Sequence, residues 1–171
     1  MTLRNILEKA AVLLGITVDF DNVGEEEKLL IECGKEVLSV LTGEYTDIKT
    51  TEKVSSSDRK IYYSSLVKDV KRIIYVEYRG EKVKFKEYAK FITVPADGEY
   101  DVIYSYNLTF KTITNDIELP PRFSVNILAA GVAGEYCFRK GFYSEAEAYG
   151  KRYESALKNI LRPSGAMVWE I

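Results

Sequence analysis

The 171-residue chain predicts an α+β protein: a four-helix assembly, two helices on each side, with an inserted antiparallel β meander or small sandwich. Three observations carry that reading. Apolar residues recur at helical spacing in the first forty and the last fifty residues or so. Between them lies a tyrosine-rich stretch, 45–107, whose period is two. Clusters of Gly, Pro, Asn, Asp and Ser mark the places where the period changes.

The first helix is expected over 3–15, where Leu3, Ile6, Leu7, Ala10, Ala11 and Leu14 form one stripe and Gly15 supplies a terminator. Asp19-Phe20-Asp21-Asn22 offers N-cap candidates for a second helix over 24–42, and Glu25, Glu26 and Glu27 suit the positive end of its dipole. Leu29, Leu30, Cys33, Val37, Leu38 and Leu41 would face inward, with Gly43 closing the helix. Strands are expected over 48–54, 60–63, 70–78, 82–86, 91–94 and 99–106. Arg79-Gly80-Glu81 and Pro95-Ala96-Asp97-Gly98 are turn signals, and Ser55-Ser56-Ser57-Asp58 is a further turn or loop.

Leu119-Pro120-Pro121 restores helix, since proline is tolerated in a first turn. The third helix is expected over 121–139, with Val125, Leu128, Ala129, Val132 and Tyr136 as its stripe. Ser144 and Glu147 have capping-box spacing for a fourth helix over 144–161. This makes one domain over 1–162, followed by a tail, 163–171.

Charge is unevenly spread. The net charge is −2, but residues 1–47 hold ten acids against four bases, while 68–90 hold eight bases against four acids. The expected molecule is electrically polar, with an acidic helical end and a basic sheet. Cys33 and Cys137 sit among apolar residues and read as buried hydrophobes, with a bridge between helices as the other reading. The opening residues lack a signal-peptide pattern, and no apolar run approaches the roughly 18 residues that span a bilayer. A soluble protein made in a cytoplasm is expected, with no membrane partner.

The chain has no histidine, CxxC, glycine-rich phosphate loop or Walker lysine. That removes the usual general base at neutral pH, the histidine-containing triads and the commonest zinc ligand. No catalytic residue, metal ligand or cofactor-binding residue is expected. The consecutive Glu25–Glu27 read as helix-start acids rather than paired catalytic carboxylates.

Three features suit contact with other molecules. The stretch 68–91 interleaves Lys71, Arg72, Lys82, Lys84 and Lys86 with Tyr75, Tyr78, Phe85 and Tyr88. It reads either as a half-buried sheet with lysines toward water, or as a surface that follows a phosphate backbone and stacks bases. Ala130, Gly131, Ala133 and Gly134 make the third helix slim, at roughly 1 kcal/mol of helix propensity per glycine. Another backbone must come close there, from the same chain or from a second subunit. In the tail, Met167, Val168, Trp169 and Ile171 either fold back onto the helices or dock on a partner with Trp169 as anchor.

In arrangement the chain resembles the head–tail adaptor (connector) proteins of tailed double-stranded DNA bacteriophages. The resemblance covers nearly the whole chain: the N-terminal helical pair, the strand-forming insert and Ile117-Glu118-Leu119-Pro120-Pro121-Arg122. It continues through Ala129-Ala130-Gly131-Val132-Ala133-Gly134-Glu135-Tyr136-Cys137 and the last helix from Tyr143. It implies a structural subunit of the virion neck, made in the host bacterial cytoplasm and assembled as a dodecameric ring beneath the portal. Such a ring extends the DNA channel, passes the genome without sequence recognition and offers the tail a docking surface. It needs no catalysis, cofactor or metal. The subunit and portal interface would then draw on Ala130, Gly131, Gly134, Met167, Val168, Trp169 and Ile171. Opposite charge suits the head-to-tail contacts of a ring, so Lys71, Lys82 and Lys84 are expected to face a neighbour or the outside rather than the channel. The alternatives are a nucleic-acid-binding accessory protein using 68–91 and a tail-completion protein.

Overall fold

The computed structural model describes residues 1–110 and 112–161. The fold is α+β, with helices on both sides of an inserted antiparallel β region. The elements are α1 (Leu3–Leu14), α2 (Glu25–Val40), β1 (Lys49–Ser55), β2 (Lys60–Tyr62), β3 (Val70–Tyr78), β4 (Glu81–Val83), β5 (Lys86–Glu87), β6 (Phe91–Thr93), β7 (Glu99–Tyr106), α3 (Val125–Lys140) and α4 (Tyr143–Leu161). They form two compact units. Met1–Leu41 and the described residues from Phe110 onward make a helical unit, and Thr42–Thr109 a β unit. The border lies close to the limits of the expected insert.

In the helical unit, Thr2 caps α1 by accepting from Asn5 N at 3.2 Å. Gly15 closes it in the left-handed region, where the missing side chain removes the steric cost. The N-cap expected among residues 19–22 forms differently. α2 starts after Gly24, and the Glu27 carboxylate turns back to accept from Gly24 N (2.9 Å) and Asp19 N (3.0 Å). Asp19 instead holds its own loop, accepting from Asp21 N and Asn22 Nδ2. The expected start of the third helix at 121 also moves. A residue before proline is pushed out of the helical region, so Pro120–Phe123 forms a turn. Ser124 then caps α3 by accepting from Ile127 N. Ser144 lies inside α4, whose first turn is already closed by the Ala146 N–Phe142 O bond, and so it is not the cap.

Helix α3 is the central element, with α1, α2 and α4 all packed on it. Leu128 through Gly134 are buried without interruption. Glycines set the close approaches. A Cβ on Gly134 would stand 3.3 Å from Gly150 N, so α3 and α4 cross with glycine against glycine. A Cβ on Gly34 would lie 2.7 Å from a Leu7 methyl, which sets the approach of α1 to α2.

The β unit holds two antiparallel sheets, ordered β1-β7-β3-β4 and β2-β6-β5. The order is not sequential: β7, last in the chain, enters between β1 and β3. The expected strand 82–86 divides into β4 and β5, and Lys84 and Phe85 carry the chain from one sheet to the other. Asp58–Arg59 and Arg79–Gly80, all at positive φ, make the tight hairpin turns. The helical chain after α2 also runs past Gly43, as a wider turn over Leu41–Tyr45. Lys71 Nζ donates to the Thr42 and Gly43 carbonyls, each at 2.8 Å, and satisfies acceptors that a helix end leaves open.

Candidate interaction surfaces

The three-stranded sheet is two-sided in the plainest way. Tyr62 pairs with Phe91, Ile61 with Ile92, and both Lys60 and Lys86 with Thr93. Because alternate residues of a strand share a face, Ile61 and Ile92 turn inward together and both are buried. Lys60, Tyr62, Lys86, Phe91 and Thr93 take the other face. Tyr88 joins them by stacking on Phe91, with centroids 4.9 Å apart, while Tyr62 tilts against Phe91 at 5.5 Å. Lys60 Nζ stands 5.1 Å over the Phe91 ring. The result is an open aromatic cluster edged with ammonium groups, in which Tyr62 and Tyr88 keep 45% and 49% of their surface exposed.

The five cations singled out in sequence do not form one strip. Lys71 is half-buried against the Thr42 and Gly43 carbonyls and Asp47 (3.2 Å). Arg72 is also paired with Asp47. Burial works against the Asp47 charge, but the hydrogen bonds from Lys71 and Arg72 outweigh it and hold the carboxyl below its usual range. Lys82 lies 4.1 Å over the Tyr75 ring, at the end of a cross-strand row Lys53–Asp101–Glu77–Lys82 whose two bases balance its two acids. Lys84 is exposed between β4 and β5. Lys86 alone reaches the aromatic face. Phe91 closes the stretch 68–91, while Lys60 and Tyr62 lie outside it, although Lys60-Ile61-Tyr62 shows a period-two signal.

The helical unit carries a groove of about 800 Å³ over α3, walled by α2 and α4. Its floor includes Gly131 and Gly134, and Val37, Val40, Phe138, Tyr143 and Tyr153 give it an apolar lining. Phe138 and Tyr143 meet edge to face at 5.9 Å and are 61% and 68% exposed. Of the rim charges, Arg139 pairs with Glu135 at 2.7 Å and Lys151 with Glu147 at 2.5 Å. Glu36 and Glu154 form no ion pair among the described residues, so the rim is acidic.

The small-residue stripe of α3 has its neighbour within the chain. Ala130, Gly131 and Gly134 are all buried, and a Cβ on Gly131 would lie 3.1 Å from both Tyr153 and Val37. The close neighbours of the stripe thus come from the same chain, and Gly131 and Gly134 also line the groove. Met167, Val168, Trp169 and Ile171, with the whole tail 163–171, lie outside the described residues.

Cys33 and Cys137 are buried free thiols. Burial pushes Cys33 up to about 11 and raises Cys137 as well, so neither is a thiolate at neutral pH. Among the described residues no three His, Cys, Asp or Glu are grouped as metal ligands, and no helix is long and apolar enough to cross a membrane. Comparison with protein-family models and with curated proteins gives no match to this chain.

Proposed function

We propose that this chain is a structural subunit of a tailed-phage neck, a head–tail adaptor that forms a ring between portal and tail. The observation that carries the reading is that each compact unit presents an apolar surface left open among the described residues: the aromatic face of the small sheet and the groove over α3. Exposed aromatic clusters and apolar grooves are features of surfaces that meet other proteins. A helical unit built from segments that precede and follow a β insert in the sequence also agrees with the adaptor arrangement. In this role the protein works by contact, without a cofactor, and the genome passes through the ring without being read. Its partners are copies of itself in a dodecamer, the portal protein and the tail or tail-completion protein, and its place is the virion neck.

Co-expression with the portal protein of the same genome tests the proposal. The expected result is a co-purifying complex in which electron microscopy shows a second ring on the portal. A portal that purifies bare, with this chain absent from the virion neck, contradicts it.

A second reading has its own observation: Tyr62, Tyr88 and Phe91 beside Lys60 and Lys86 could stack and neutralise a single strand. Retention on single-stranded DNA that falls steeply between low and moderate salt supports that reading, and salt-insensitive or absent retention removes it.

A further inference from the structure

We infer that the open face of the small sheet in one copy docks into the groove over α3 in the next copy. The inference rests on the ring-subunit reading above and names the interface that would build the ring.

Charge is the first reason for choosing a second copy as the occupant. The sheet face offers Lys60 and Lys86 around Tyr62, Tyr88 and Phe91, with exposed Lys90 beside them. The groove answers with Glu36 and Glu154, the rim acids that no cation of the described chain neutralises. The two patches therefore carry net charges of opposite sign, each around an apolar centre. Opposite potentials of this kind steer encounter and fix register. Chemistry is the second reason. The groove is lined by Val40, Phe138 and Tyr143, whose exposed apolar and aromatic surface suits contact with ring-shaped side chains. Two different patches in contact make a heterologous interface, and such an interface closes into a ring when the rotation allows.

Size sets the expected strength. Fully buried aromatic side chains cover about 150–250 Å² each, and these rings are already half covered, so the patch falls well below the ~800 Å² per partner of a standard stable interface. Free chains should then associate weakly, and the ring should tighten only where a portal holds many copies together.

The test is a charge exchange on the full chain, read by sedimentation velocity up to about millimolar concentration, the range in which interfaces this small become populated. One variant carries Lys60→Glu and Lys86→Glu, the other Glu36→Lys and Glu154→Lys. Circular dichroism and thermal melts establish that both fold. Each variant alone should associate at least about tenfold more weakly than wild type. An equimolar mixture of the two, or one chain carrying all four changes, should return to within about threefold, because every contact again joins opposite charges. Four results would overturn the inference: a wild-type chain that stays monomeric throughout, variants that associate like wild type, exchanged charges that do not restore association, or sheet-face changes that abolish DNA retention while leaving self-association intact. If these arms fail while the chain still co-purifies with portal rings, the neck reading stands and the interface is wrong. If the exchange behaves as expected but no portal complex forms, the reverse holds.

Discussion

In the four-stranded sheet Tyr100 and Tyr104 are 1% and 0% exposed, and their hydroxyls are engaged: Tyr100 donates to Ala96 O at 2.8 Å, and Tyr104 donates to Glu52 and accepts from Lys68 N at 3.2 Å. In the three-stranded sheet Tyr62 and Tyr88 keep about half their surface in water and lean on Phe91. The same residue type thus serves opposite ends. Strand β7 lies between two neighbours, so its tyrosines are enclosed and burial demands a partner for each hydroxyl. The strands of the small sheet bury Ile61 and Ile92 on its inner side, and its tyrosines do nothing for the interior. Aromatic area left outside a core in this way is what contact with another molecule uses.

The largest break in the comparison comes from Tyr104→Ala, which should cost about 3–5 kcal/mol in urea unfolding, because it empties a fully buried site and leaves Glu52 Oε1 without the Tyr104 hydroxyl. The helical unit offers a parallel case: Gly134→Leu drives a side chain into Gly150 N and Tyr149, and a loss of about 2–3 kcal/mol in the same assay is expected. Asp47→Asn should lose about 1 kcal/mol at neutral pH, since Lys71 and Arg72 hold the native carboxyl below its usual range. That stability exists above the unfolded value of ~3.9 and is lost as pH falls through the folded one, so the gap between variant and wild type should narrow as the solution is acidified below the unfolded value. The smallest effect belongs to Tyr62→Ser with Tyr88→Ser, which should stay within about 0.5 kcal/mol of wild type in stability while weakening self-association. A large loss of stability there would erase the distinction between the two sheets.

Much of the fold was legible because hydrophobic period reports which face of an element is buried. The stripe of α1 and the turn at Arg79-Gly80 are local signals that the structure follows, whereas β7 alternates only over its first residues and is buried on both faces from Val102 to Tyr106. The misplaced details depend on contacts from far along the chain. Nothing near Gly43 announces that Lys71, from β3, will supply donors to the carbonyls after α2. Nothing in 82–86 shows that the chain changes sheets at Lys84 and Phe85. The candidate surfaces were legible in part. Lys86, Tyr88 and Phe91 lay within the basic, aromatic stretch, but the period that puts Lys60 and Tyr62 on one face does not say that strand pairing brings them beside Phe91. Gly131 and Gly134 were correctly marked as sites of close approach, and the choice between a neighbour in the same chain and another subunit required the packing of α4.

Amide hydrogen exchange on the chain, free and assembled on its portal, addresses the central claim that this protein works by contact between copies. New protection over 60–62 and 86–93 and along the groove walls in α2 and α4 is the predicted result, with β7 already protected in the free chain and unchanged. Assembly that leaves both surfaces exchanging as they do in the free chain would contradict it.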